Sequence, residues 1–160
     1  MTVVDVVKDT EALTITLTAE FAAAPERVWQ VWADPRQLEQ WWGPPTWPAT
    51  FVDFDFVAGG RATYFMTGPA GDKAHGWWQF TSIDAPRGLE LLDGFASDSG
   101  EPDDAMPRTR MSVSLDEKDG GTRMIFVGSF GSLEEMERLT AMGMAEGLTE
   151  AAGQIDALLH

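Results

Sequence analysis

The chain has 160 residues and a mass of 17.5 kDa, a length that suits one domain, 1–160, with a sizeable core. Its 26 acidic residues against 11 lysines and arginines leave a net charge of -15, a field that repels nucleic acid and anionic membrane surfaces. With no cysteine, disulfides, thiolate metal sites and cysteine nucleophiles are excluded.

The opening MTVVDVVKDTEALTITL carries acids early and lacks a long apolar run before a small-residue cleavage site. It does not read as a signal peptide, and no run approaches a membrane span, so a cytoplasmic location is expected. Residues 13–21, LTITLTAEF, alternate apolar and polar and are rich in β-branched side chains, which predicts a half-buried strand. Pro25 opens a short helix at the position where its missing N–H costs nothing. Asp34-Pro35 opens a second, with Leu38, Trp41 and Trp42 on one stripe. Gly43 ends it and Pro44 blocks its continuation.

A meander follows. Residues 50–57 predict a strand with Val52, Phe54 and Phe56 on one face and Asp53 and Asp55 on the other. Gly59-Gly60 is a turn, and 61–67 places Ala62, Tyr64 and Met66 together. Strands are predicted at 75–83, with Trp78 and Phe80 sharing a face, at 88–96, at 108–116 and at 122–130, with a hairpin turn at Asp119-Gly120-Gly121. Residues 97–107 form a polar loop. Ser132-Leu133-Glu134-Glu135 is a capping box that starts one long helix to about Leu159, with Met136, Leu139, Gly143, Ala151, Ile155, Leu158 and Leu159 on its inward stripe. The fold class is α+β: an antiparallel sheet of about six to seven strands, two short helices after the first strand, and a C-terminal helix covering one face.

This order resembles the helix-grip fold of the START-like (SRPBCC) superfamily, in which a curved sheet wraps a long C-terminal helix around an apolar cavity. Four segments resemble the activator of heat-shock-protein-90 ATPase-like family: PERVWQVWADPRQLEQWWGP (25–44), DFVAGG (55–60), GWWQF (76–80) and MGMAEGLTEAAGQIDALL (142–159). Three positions depart from the family pattern. Ala62 stands where an aromatic is common, which implies a wider cavity. Phe80 stands where many members have a glutamate, which removes an inward carboxylate. Leu148 stands where a tryptophan is frequent. The co-chaperone that gives the family its name has an additional N-terminal domain with no counterpart here, so a chaperone partner is not implied.

Chemistry-bearing residues are few. His75 starts a strand and His160 ends the chain. No carboxylate spacing around them suggests a metal site, and no GxSxG elbow is present, so a structural or surface role is expected for His75. Asp53 and Asp55 read as solvent-facing, and Gly59-Gly60 lacks the rest of a phosphate loop. No cofactor, metal or catalytic residue is assigned. The remaining signal is aromatic and methionine-rich. Trp42, Phe54, Phe56, Ala62, Tyr64, Met66, Trp78, Phe80, Phe95, Met111, Phe126, Met144 and Leu148 are the candidate lining of a cavity between sheet and helix. Each taken singly reads as core. Together, with Gly143 and Gly147 one turn apart on the helix, they point to a small hydrophobic or aromatic ligand. An enzyme of the cyclase or dehydratase kind in the same cavity, a protein-interaction or stress-response module, and a homodimer stay open.

Overall fold

A computed structural model describes residues 3–159. Its strands are β1 (Val3–Asp9), β2 (Thr14–Phe21), β3 (Ala49–Phe54), β4 (Arg61–Thr67), β5 (Lys73–Asp84), β6 (Gly88–Phe95), β7 (Thr109–Lys118) and β8 (Gly121–Ser129). They pair antiparallel in one open sheet, in the order β1-β2-β8-β7-β6-β5-β4-β3. Helices α1 (Pro25–Ala33) and α2 (Pro35–Leu38) lie between β2 and β3, and α3 (Leu133–Ala141) and α4 (Met144–Ala152) follow β8. A single 3-10 turn, Ile155–Leu158, comes last. This is the helix-grip arrangement, with one strand more than expected. No helix among the described residues is long and apolar enough to cross a membrane.

The added strand is β1. Its valines do not alternate cleanly, because a bulge between Val3 and Asp5 shifts the register against β2. Val4 and Val7 consequently stay exposed while Val6 packs against the core. The Asp9 carboxylate accepts from the backbone N–H groups of Glu11 and Ala12, both at 3.0 Å, and so shapes the turn into β2.

A second bulge corrects the expected faces of β3. Phe51 pairs with Tyr64 and Asp53 with Thr63, so Val52 is the extra residue. It is 64% exposed, while Phe51 is buried and Phe54 half-buried. The edge around this bulge is held by the residues that follow α1. The Glu39 carboxylate accepts from the Phe51 N–H at 3.0 Å, and the Arg36 guanidinium donates to the Phe51 carbonyl at 2.9 Å. At Phe51 the exposed edge thus has both backbone polar groups partnered.

Helix α2 is shorter than its apolar stripe predicts. After Leu38 the chain tightens, and the N–H groups of Trp41 and Trp42 both donate to the Leu38 carbonyl, at 3.2 and 2.9 Å. Leu38, Trp41 and Trp42 are all buried nevertheless. Gly43 allows the turn that follows, since a Cβ there would lie 2.0 Å from the Trp47 carbonyl oxygen. The Gln154 amide donates to the Gly43 carbonyl at 2.7 Å, which ties the C-terminal segment to this turn.

The C-terminal helix is also broken. Ser132 caps α3 by accepting from the Glu135 N–H at 3.1 Å, as the capping box predicts. The helix then stops at Ala141, and Gly143, with φ 90°, starts α4 in a new direction. A left-handed residue cannot lie inside an α-helix, so the single inward stripe becomes two. Met136 and Leu139 serve a small cluster with Ile15 and Phe130, whereas Ala151, Ala152 and Ile155 join the main core.

Gly143→Ala tests this break by its sign. The left-handed conformation makes alanine destabilising by roughly 1–2 kcal/mol. In a continuous helix the same change would stabilise by about 1 kcal/mol. The shift in the midpoint of urea unfolding separates the two.

Candidate ligand-binding site

Strand alternation puts Tyr64 and Met66 of β4, Phe95 of β6 and Met111 of β7 on the face turned toward the C-terminal helices. Sheet and helices do not meet there, and a cleft of about 270 Å³ lies between them. Trp42 closes one side, and Met144 and Leu148 of α4 close the other. Gly143 and Gly147 also line it, and a Cβ built on either would meet nothing within 4 Å. These helix glycines leave the cleft open rather than permitting close packing.

Of the residues expected to line a cavity, Trp42, Tyr64, Met66, Phe95, Met111, Met144 and Leu148 meet at this cleft. Phe54, Phe56, Ala62, Trp78, Phe80 and Phe126 do not. Phe54, Phe56 and Phe80 pack ring to ring at 5.1–5.6 Å. Ala62 and Trp78 are wholly inaccessible, and Phe126 is buried. Ala62 therefore does not widen the cleft; it faces Trp78 directly across the β4–β5 ladder.

The polar centre of the site is a residue that sequence reasoning missed. Asp93 sits on β6 opposite Trp78. Its Oδ1 accepts from the Tyr64 hydroxyl at 2.7 Å and from the Trp78 indole N–H at 2.8 Å. Tyr64 stands two strands away and reaches across β5 because residue 76 is glycine. A Cβ at Gly76 would lie 2.5 Å from the Tyr64 ring. The alternation of Leu89, Leu91, Asp93 and Phe95 in GLELLDGFA could have placed this carboxyl inward. Phe80 leaves β5 without an inward acid, and Asp93 places one on β6.

Burial pushes the Asp93 carboxyl up to about 7, even though the hydrogen bonds from Tyr64 and Trp78 pull it down. Two good donors therefore do not repay the loss of water around the charge. Burial also drives the Tyr64 phenol well above its ordinary value, with the Asp93 charge and hydrogen bond adding to the rise. The Trp42 indole N–H opposes that rise slightly without completing a hydrogen bond.

His75 lies at the edge of the cleft, with Nε2 3.7 Å from the exposed Asp98 carboxylate. His160 lies outside the described residues. Asp53 and Asp55 are solvent-facing, and Asp53 accepts from the Thr63 hydroxyl at 3.1 Å.

Residues 22–160 match the sequence model of the activator of Hsp90 ATPase homolog 1-like protein family. The chain belongs to this family. A solution structure from Arthrobacter aurescens is 54% identical, with a TM-score of 0.95 over 99% of this chain and 92% of that one. A crystal structure from Mycobacterium smegmatis is 49% identical, with a TM-score of 0.91 over 99% and 97%. A third, from Silicibacter pomeroyi and named for the same family, is 25% identical, with a TM-score of 0.73 over 91% and 96%. A search of curated proteins gives no match. In this family member the START-like helix grip is complete, and the Tyr64–Asp93–Trp78 cluster stands at the base of its cleft.

The perturbed carboxyl makes stability depend on pH. Asp93 titrates near 7 when folded and near its ordinary 3.8 when unfolded. The folded state holds the extra proton between those values, so the contribution is fully present below 3.8 and lost as pH rises through 7. Asp93→Asn keeps an acceptor for Tyr64 and Trp78 but cannot titrate. Between pH 5 and 8 the parent should lose on the order of 2 kcal/mol relative to the variant. Urea unfolding at both pH values checks this; an unchanged difference would return Asp93 to an ordinary carboxylate.

Proposed function

We propose that the protein binds a small hydrophobic or aromatic molecule in the cleft between its sheet and its C-terminal helices. The observation that carries this is open apolar space beside two helix glycines, ending on one hydrogen-bonding group. Ligand pockets share that composition: mostly apolar walls and a few placed polar atoms that set orientation. Membership of a START-like family supports the reading at the level of the fold. The methionines suit it too, since unbranched thioethers adapt to varied shapes. A cytoplasmic location accords with an acidic chain free of cysteine.

Asp93 favours a second reading, an enzyme of the cyclase or dehydratase kind in the same cleft. A carboxyl that titrates near 7 can both give and take a proton at neutral pH. Such an enzyme would use Asp93 as its acid and base, with Tyr64 positioning it.

Gly147→Phe tests the ligand reading. The side chain enters open space, so the fold should survive. It should also occupy the ligand's volume. Indole emission of the parent should change saturably with aromatic or acyl-chain compounds, because Trp42 borders the cleft. In the variant that affinity should fall by about tenfold or more, a loss of at least 1.4 kcal/mol, with the melting temperature held. No saturable signal from a broad apolar library would reject the cleft as a ligand site and favour a protein-interaction role.

A further inference from the structure

Only Tyr64, His75 and Asp93 bring an ionisable side chain to the described lining of the cleft, and no lysine or arginine reaches it. Both hydrogen bonds to Asp93 fall on Oδ1. Among the described residues Oδ2 receives no protein donor, and Asp93 is only half-buried where it lines the cleft. It opens to the cleft. The Tyr64 hydroxyl gives its proton to Asp93, so it offers a ligand only lone pairs. Trp42 and Tyr64 meet edge to face, at 6.4 Å and 88°, and add aromatic rings beside these acceptors. The polar end of the cleft therefore sets the Asp93 and Tyr64 acceptors and π-faces beside two neutral donors, the Thr109 hydroxyl and the Trp42 indole N–H, with no lysine or arginine among the described lining.

That set discriminates by charge. A ligand carboxylate would face Asp93 with nothing to neutralise it, and burying unpaired charge is costly. A protonated amine would pair with Oδ2, meet the Tyr64 lone pairs and lie against electron-rich rings. The net charge of -15 also concentrates cations around the protein. We infer that the ligand of this cleft is an apolar or aromatic molecule carrying one protonated amine, held by Asp93 Oδ2 as the specificity-determining contact. This inference rests on the cleft being a ligand site.

Binding of such an amine requires ionised Asp93, so it should strengthen as pH rises through neutrality. Around Asp93, β4 supplies Tyr64, and β5 supplies Trp78 with His75 at the edge. β7 and the C-terminal helices place no ionisable side chain in the lining. His75 is near the exposed Asp98 rather than bonded to Asp93.

The test uses three matched probes: 2-naphthylmethylamine, 2-naphthalenemethanol and 2-naphthoate. They are titrated calorimetrically into the parent and into Asp93→Asn at about pH 5.5 and about pH 8, which lie on either side of the carboxyl's transition. The amine should bind the parent about tenfold or more tightly than the alcohol at the higher pH, with the carboxylate weakest. Its advantage should shrink at the lower pH. Asp93→Asn should bring the amine to within roughly threefold of the alcohol and remove its pH dependence. The variant changes one of 26 acids, so attraction to the general surface would survive it and be recognised. Equal binding of amine and alcohol, or a preference retained in the variant, would overturn the amine assignment and leave the cleft a ligand site. Failure of all three probes to saturate would overturn both. Should the variant not fold, a constant amine-to-alcohol ratio across the two pH values in the parent would overturn the assignment by itself.

Discussion

Trp78 joins the core to the cleft. Its ring is wholly buried and lies 4.8 Å from Trp42, 5.2 Å from Phe51 and 5.9 Å from Tyr64, with Trp32 at 6.4 Å. Those neighbours come from α1, the turn after α2, β3 and β4. One side chain therefore fixes the helix pair against the strands. An indole also carries a donor that burial obliges it to satisfy, and here that donor goes to Asp93. The packing that closes the core thereby sets a carboxyl at the base of the cleft. Trp32 and Trp42 belong to the same cluster, and their indole N–H groups find no partner among the described residues, which makes the Trp78 bond the more telling contact.

The cleft exists because two elements decline to close over it. α4 starts afresh at Gly143 and presents Gly147 toward the sheet, and neither glycine offers a side chain to fill the gap. On the sheet side, Tyr64 leans across Gly76 toward Asp93 instead of standing into the open space. Bulges in β1, β3 and β5 bend the surface on which these residues sit. The glycines and the missing contacts cost stability that a filled core would not. A ligand that filled the cleft would offset that cost, and this connects the packing to the function proposed.

Electrostatics works in the same direction at two scales. The outer surface is strongly acidic, and the cleft carries one half-buried carboxyl, Asp93. On the surface water and salt screen each charge. In the cleft they do not, and desolvation outweighs both donors on Asp93. The outer face of the sheet uses cations differently: Arg61 and Arg108 lie 5.5 and 5.1 Å from the Trp77 ring. Lys73 likewise lies 4.4 Å from the Phe65 ring, while no lysine or arginine is among the described residues lining the cleft.

By itself the sequence determined which segments are strands and helices wherever the determinant is local. Alternation marks β2 and β4, Asp34 and Pro35 open α2, Ser132 caps α3, and Asp119-Gly120 turns β7 into β8. The family was legible for the same reason, since WWGP, the glycine turn and the final helix are contiguous words. Four strand residues that line the cleft, Tyr64, Met66, Phe95 and Met111, could be named from their faces alone, because alternation decides which side of a sheet a residue takes. Tertiary structure decided what those residues meet. Val52 turned outward because β4 pairs with Phe51 and Asp53 around it. Ala62 went to the close-packed core because Trp78 stands opposite it across the β4–β5 ladder, and Phe126 on β8 belongs to the same core. Asp93 became the centre of the site only because Gly76 clears a path for Tyr64 from two strands away. A residue's face follows from its own backbone, but its burial, partner and pKa follow from groups far along the chain, and no local pattern encodes them.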